Sequence, residues 1–209
     1  MAESQLVPLL WVAAFVLVVS FLSNVSPFFG ASYTLLATLQ LTLIGPSPFN
    51  FLLVVLVSAV GATLAKVVIY YGAFGLRRII GGNKNIRLIG RNSSTGKFYV
   101  ALFVTALLPI LPLDDFIYIG AGATAASIGL MSAVTLLAKI LKSGFEVALE
   151  LTILTDLSRV FGFNRLDVTV ALVAVFLVIG ILIYQLDWEK LYDRFMRKDR
   201  PRTEGATAG

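Results

Sequence analysis

Two prolines three residues apart, Pro109 and Pro112, break an apolar run and are followed at once by two carboxylates, Asp114 and Asp115. A helix cannot pass smoothly through both prolines, since each lacks an amide donor and its ring collides with the preceding turn. The flanks, 98–108 and 116–137, are apolar. Broken backbone and charge are each costly in hydrocarbon, so their coincidence predicts a polar site held by protein or water at membrane depth. Such a pattern belongs to transporters and flippases more than to anchors.

The rest of the chain fits that solvent. Of 209 residues, 58% are hydrophobic and 14% charged, and the mean hydropathy is +0.89, more apolar than a soluble domain of this length. A bilayer core of about 30 Å takes about 20 helical residues per crossing. The length therefore predicts one all-α polytopic membrane domain over 1–198, with its core at about 26–150, and a disordered tail over 199–209. Cysteine and histidine are absent, which removes disulfides, imidazole acid–base chemistry and most zinc and haem ligation. No cofactor, metal or enzymatic role is expected. The net charge of +5 comes from basic residues beside apolar segments, where they set topology and meet anionic lipid. No nucleic-acid motif accompanies them, so nucleic acid is not an expected partner.

Along the chain, 6–22 is apolar and follows five residues without Lys or Arg. It lacks the basic start of a signal peptide and reads as a retained helix. The segment 31–44 carries Ser32, Thr34, Thr38, Gln40 and Thr42 between Pro27-Phe28-Phe29-Gly30 and Gly45-Pro46-Ser47-Pro48. It suits a re-entrant hairpin better than a lipid-facing span, with a buried full span as the alternative. The segment 49–75 is long enough to cross and holds Lys66. Arg77, Arg78, Lys84, Arg87, Arg91 and Lys97 then fall in a stretch with Gly, Asn and Ser and no acidic residue, which predicts a cytoplasmic loop.

The segment 98–108 reaches about 16 Å as a helix, roughly half a membrane, and reads as the first arm of a second hairpin. The return passes small residues, Gly120, Gly122, Ala123, Ala125 and Ala126, which permit close helix approach. In 130–155, Lys139, Lys142, Glu146 and Glu150 share one helical face. Four lipid-facing charges at about 2.5 to 3.5 kcal/mol each would outweigh the apolar neighbours, so the face must meet protein or water. The segment 168–186 is an uninterrupted apolar span. Trp188, Leu191, Tyr192, Phe195 and Met196 recur at helical spacing opposite Lys190, Arg194, Arg197 and Lys198, the pattern of an interfacial amphipathic helix on the cytoplasmic side. With both hairpins re-entrant, the N-terminus, the 77–97 loop and the C-terminus all fall in the cytoplasm; if both segments instead span fully, parity moves only the N-terminus outside.

Each half thus has a Pro-broken polar hairpin followed by a long charged helix, the weak symmetry of two inverted repeats. Two superficial motifs fail. In 90–97 the glycines are too far apart for a phosphate loop and Phe98 follows Gly-Lys. Asp114-Asp115 is not the start of a prenyl-diphosphate motif, because position 118 is Tyr.

The order of these elements resembles the DedA family, also called VTT-domain or SNARE-associated Golgi protein-like proteins, over roughly 26–150. The matching residues are Pro27 with Gly30, Gly61-Ala62 with Tyr70, Pro109 with Pro112, and Gly120-Ala121-Gly122. The chain departs from many bacterial members by Ala31 and Lys66 where they carry Glu and Asp, and by Ala106 and Pro112 where they carry Arg. The resemblance implies the architecture and a lipid-moving activity in a cell membrane, on polyprenyl phosphate carriers or phospholipids. It does not carry over the family's proton-coupling carboxylates or phosphate-binding arginines.

Together these readings nominate Pro27, Gly30, Lys66, Tyr70, Pro109, Pro112, Asp114, Asp115, Lys139, Lys142, Glu146 and Glu150 as the transport or substrate-binding site. Asp114 and Asp115 also suit a cap on the returning helix, and the charges of 130–155 also suit an internal ion-pair ladder. The expected function is a lipid translocase or scramblase. The alternatives are an ion- or proton-coupled solute transporter and a non-catalytic membrane-assembly factor. Three lysines among four carboxylates leave a net charge near zero, which predicts that Lys66 lies beside at least one of those carboxylates.

Overall fold

The computed structural model describes residues 2–25, 33–108 and 113–185. Pro27, Gly30, Pro109, Pro112, the amphipathic segment from Trp188 and the 199–209 tail lie outside these described residues. Among them every regular element is helical: α1 (Ala2–Val25), α2 (Tyr33–Ile44), α3 (Pro48–Gly75), α4 (Arg77–Ile80), α5 (Lys84–Asn92), α6 (Gly96–Leu107), α7 (Leu113–Ala123), α8 (Ile128–Phe161) and α9 (Arg165–Gln185). Three helices, at Val7–Val25, Pro48–Gly75 and Ile128–Phe161, are long and apolar enough to cross a membrane.

The punctuation of the chain explains the boundaries. Gly45 adopts a left-handed conformation, with φ of +86°, just after α2, a geometry glycine takes without steric penalty. Ser47 then caps α3, its hydroxyl accepting from the Asn50 amide at 3.2 Å, with Pro48 in the first turn. The Asn50 side chain closes the turn by donating to the Gly45 carbonyl at 2.8 Å. Thr95 caps α6 in the same way, accepting from the Phe98 amide at 3.3 Å. Gly162, again left-handed, ends α8.

Two apolar clusters organise the bundle. One joins Val12 and Val16 of α1 to Ala37 and Leu41 of α2, Val54 and Val55 of α3, and Val147 of α8. The other joins Tyr70 of α3 to Phe98 and Leu102 of α6, Tyr118 and Ala121 of α7, and Met131 of α8. Early α3 therefore meets late α8 and late α3 meets early α8, so these two long helices run antiparallel. Helices α1, α2 and α3 alternate in direction, because Val12 and Val16 share a cluster with Val54 and Val55 while Gly61 abuts Leu17 to Phe21.

Two expectations are corrected here. The parallel course of α1 and α3 puts Ala2 at the end of the bundle where α3 starts, opposite Arg77 and not beside it. The predicted 77–97 loop is largely helical. Helix α5 packs on α7, with Ile89 fitting over Gly120, where an added methyl group would overlap it. Hydrophobic contact at a small residue orders what its composition alone marks as a turn region.

Glycine also sets the α1–α3 distance. A methyl group at Gly61 would lie 2.6 Å from the Leu17 carbonyl oxygen and 2.9 Å from Ser20 Cβ. Because backbone stands in the way, Gly61→Leu is expected to cost about 3 kcal/mol or more, read as a lowered melting temperature in detergent. Gly72 lies in the same helix with nothing within 4 Å of an added methyl. Gly72→Ala is expected to be neutral or to gain up to about 1 kcal/mol.

Candidate functional site

The bundle is apolar outside and charged inside. Lys66 is 3% exposed while its neighbours Leu64 and Val68 are nearly half exposed. On α8, Lys139 and Lys142 are buried whereas Leu137, Leu141, Phe145 and Leu149 form an exposed stripe, Phe145 at 71%. A water-soluble protein reverses this distribution, and a contiguous apolar exterior is the mark of a surface that meets lipid or a partner.

The buried charges form a ladder of successive groups between α3, α7 and α8. The Lys66 ammonium contacts the Asp115 carboxylate directly and lies 3.5 Å from Asp114 Oδ2. Lys139 Nζ is 2.9 Å from the same Asp114 oxygen, so Asp114 bridges two lysines. One turn along α8, Lys142 Nζ is 3.7 Å from Glu146 Oε1. The expectation that Lys66 sits beside a carboxylate agrees with this geometry, and its partners are the α7 pair.

Glu150 ends the ladder differently. Its two oxygens accept hydrogen bonds from Thr34 Oγ1 at 2.6 Å and Thr38 Oγ1 at 2.7 Å, both on α2 and one turn apart. Tyr33, also on α2, lies 3.3 Å from Ser143 Oγ, and the Lys142 ammonium stands 6.0 Å over its ring. The sequence marks Thr34 and Thr38 only as polar residues of a poor span. Their i, i+4 spacing is the available signal, and its counterpart on α8 cannot be identified without the fold.

Local structure explains why these groups converge. Asp114 and Asp115 occupy the first turn of α7, where free amides favour negative charge, and the same position aims them at Lys66 and Lys139. The first-turn position and the ion pairs with Lys66 and Lys139 therefore go together. Tyr33 and Thr34 likewise begin α2. From Lys139 to Glu150 the ladder climbs about 16 Å along α8, joining the starts of two short helices across roughly half a hydrocarbon core.

Tyr70 stands apart from the ladder. Its hydroxyl donates to the Ala126 carbonyl at 2.5 Å, fastening α3 to the connection between α7 and α8. That connection contains Ala125 in a left-handed conformation, with φ of +56°. Beneath it, Gly122 lies against the Tyr70 carbonyl and Ala73, with no room for a side chain. The small-residue stretch at the end of α7 thus serves close packing. Tyr118, buried nearby, donates to Thr135 Oγ1 at 2.9 Å.

Among the described residues, no group of three or more acidic, His or Cys side chains is placed to hold a metal ion. The ladder instead offers paired ammonium and carboxylate groups that can exchange partners with a charged headgroup or an ion. No family model matches the chain, and the searches of curated proteins and solved structures give no match either.

Proposed function

We propose that this chain is a multi-pass membrane protein that moves lipid headgroups between leaflets, as a translocase or scramblase, along the charged face of α8. The observation that carries this reading is the ladder of three lysines and four carboxylates inside an apolar-surfaced bundle. A phospholipid or polyprenyl phosphate headgroup needs a polar path through hydrocarbon, and the ladder supplies one in which most of the charges are paired when it is empty.

We read α6 and α7 as the two arms of a re-entrant hairpin and the two halves as inverted repeats of DedA/VTT type. Supporting this, α2, α6 and α7 have 12, 12 and 11 residues, about 18 Å or less each and too short to cross. The pairs α2–α3 and α7–α8 are each a short helix followed by a long antiparallel one, and α3 and α8 oppose each other in direction. Both short helices begin at the ladder. In this reading the basic segment 77–97 and the C-terminus face the cytoplasm. Glu150, a carboxylate with two hydroxyl donors and no lysine within 4 Å among the described residues, favours a second reading, coupled ion or solute transport on the same scaffold.

The test is reconstitution into vesicles carrying headgroup-labelled lipid in both leaflets, with chemical quenching from outside. Lipid movement well above that of protein-free vesicles is expected without any gradient. If the label stays protected as in empty vesicles, the lipid reading fails, and gradient-driven solute uptake by the same vesicles would support the second.

A further inference from the structure

A shallow, open cavity of about 760 Å³ lies between α5, α6 and α7. Its apolar wall is Leu88, Ile89, Phe98, Ala101 and Ile117, and its polar side is Asn92, Thr95 and Lys97. The volume lies in the range of small-molecule sites, and the lining combines aliphatic and aromatic side chains with one lysine.

We infer that this cavity holds one anionic phospholipid, with its phosphate at Lys97 and an acyl chain against Phe98, Ala101 and Ile117. Charge complementarity selects the headgroup. Arg77, Arg78, Lys84, Arg87, Arg91 and Lys97 crowd this end of the bundle, and no Asp or Glu occurs between positions 76 and 113. Free phosphate would satisfy the lysine but leave the apolar wall uncovered. A neutral lipid would cover the wall but not answer the charge.

Geometry gives the lipid a natural depth. Thr95 caps α6, so Lys97 stands in its first turn, and the cavity continues to Ala101 and across to Ile117. Ile117 is three residues, about 4.5 Å of helix rise, beyond Asp114. Helix α5 carries exposed Leu88 beside Lys84, Arg87 and Arg91, the mixed surface of an interfacial helix. The headgroup would thus lie level with α5 while the chain follows α6 and α7 toward the ladder. The site is independent of the lipid-movement reading, because it is detected by binding alone.

The experiment is native mass spectrometry of the full chain in detergent, titrated with phosphatidylglycerol or phosphatidylcholine of equal chain length. One phosphatidylglycerol per chain is expected, bound about tenfold more tightly than phosphatidylcholine. Lys97→Gln should abolish that preference. Ala101→Trp, whose indole would fill the cavity from an exposed position, should weaken both lipids about tenfold, and Ala101→Leu should weaken them less, in the same direction. Equal binding of the two lipids by the parent overturns the proposal. So does unchanged binding in both Ala101 variants, which would reduce the effect to surface charge, or full displacement by millimolar inorganic phosphate, which would make the site one for the free anion.

Discussion

Lys66→Met is expected to lower the stability of the folded chain by about 3 kcal/mol, toward the lower end of the range for breaking a buried ion pair. The cost comes from what the substitution leaves behind. Asp115, 13% exposed at its side chain, contacts Lys66 and no other lysine within 4 Å among the described residues, so its carboxylate would remain in a poorly solvated interior without a partner. Asp114 would keep Lys139. A second substitution, Asp115→Asn, should therefore recover more than half of the loss, whereas Glu146→Gln in the Lys66→Met background should recover none, because Glu146 is engaged with Lys142. Thermal unfolding in detergent reads all three. A Lys66→Met variant that melts with the parent would mean that water reaches the pair and the ladder is not a dry one.

The same residues show where the sequence was sufficient and where it was not. Helix periodicity and the cost of charge in hydrocarbon require the Lys139, Lys142, Glu146 and Glu150 face to turn inward, and the structure buries both lysines and partly buries both glutamates. The i, i+4 rule gives the Lys142–Glu146 pair directly. Charge balance alone leaves Lys66 a choice of four carboxylates. Selecting Asp115 requires knowing that α7 returns alongside late α3, and that contact depends on Gly122 fitting against Tyr70 and Ala73. No local pattern encodes such a meeting of distant segments.

Two other features escaped for related reasons. The 77–97 stretch reads as a loop because glycine, asparagine and serine dominate its propensity, yet Ile89 finds Gly120 and tertiary packing overrides the local preference. Topology fails at α1, where re-entrant parity predicts a course antiparallel to α3. The 12-residue α2 instead reverses the chain within the bundle, so α1 and α3 run together over a close contact at Gly61. The composition of α1, apolar and nearly uncharged, carries no information about its direction.

Asp114→Asn is the substitution expected to disturb the ladder most, because among the described residues Asp114 is the only carboxylate within 4 Å of two lysines. Lys66 would retain Asp115, but Lys139, 3% exposed, has no other carboxylate within 4 Å among the described residues. A buried ammonium without a partner should cost about 3 to 5 kcal/mol. Adding Lys139→Met removes the orphaned charge, and Asp114→Asn/Lys139→Met should regain most of that stability. Asp114→Asn/Lys66→Met should not, since it strands Asp115 as well. The first double variant also separates structure from function. It leaves a folded bundle whose ladder is interrupted by neutral groups midway between Lys66 and Lys142, so a headgroup would lose its exchange partners at that point. Lipid movement in vesicles is expected to remain depressed even where the melting temperature has recovered. Recovery of movement together with stability would instead make Asp114 and Lys139 a structural pair and shift the transport path toward Lys142, Glu146 and Glu150.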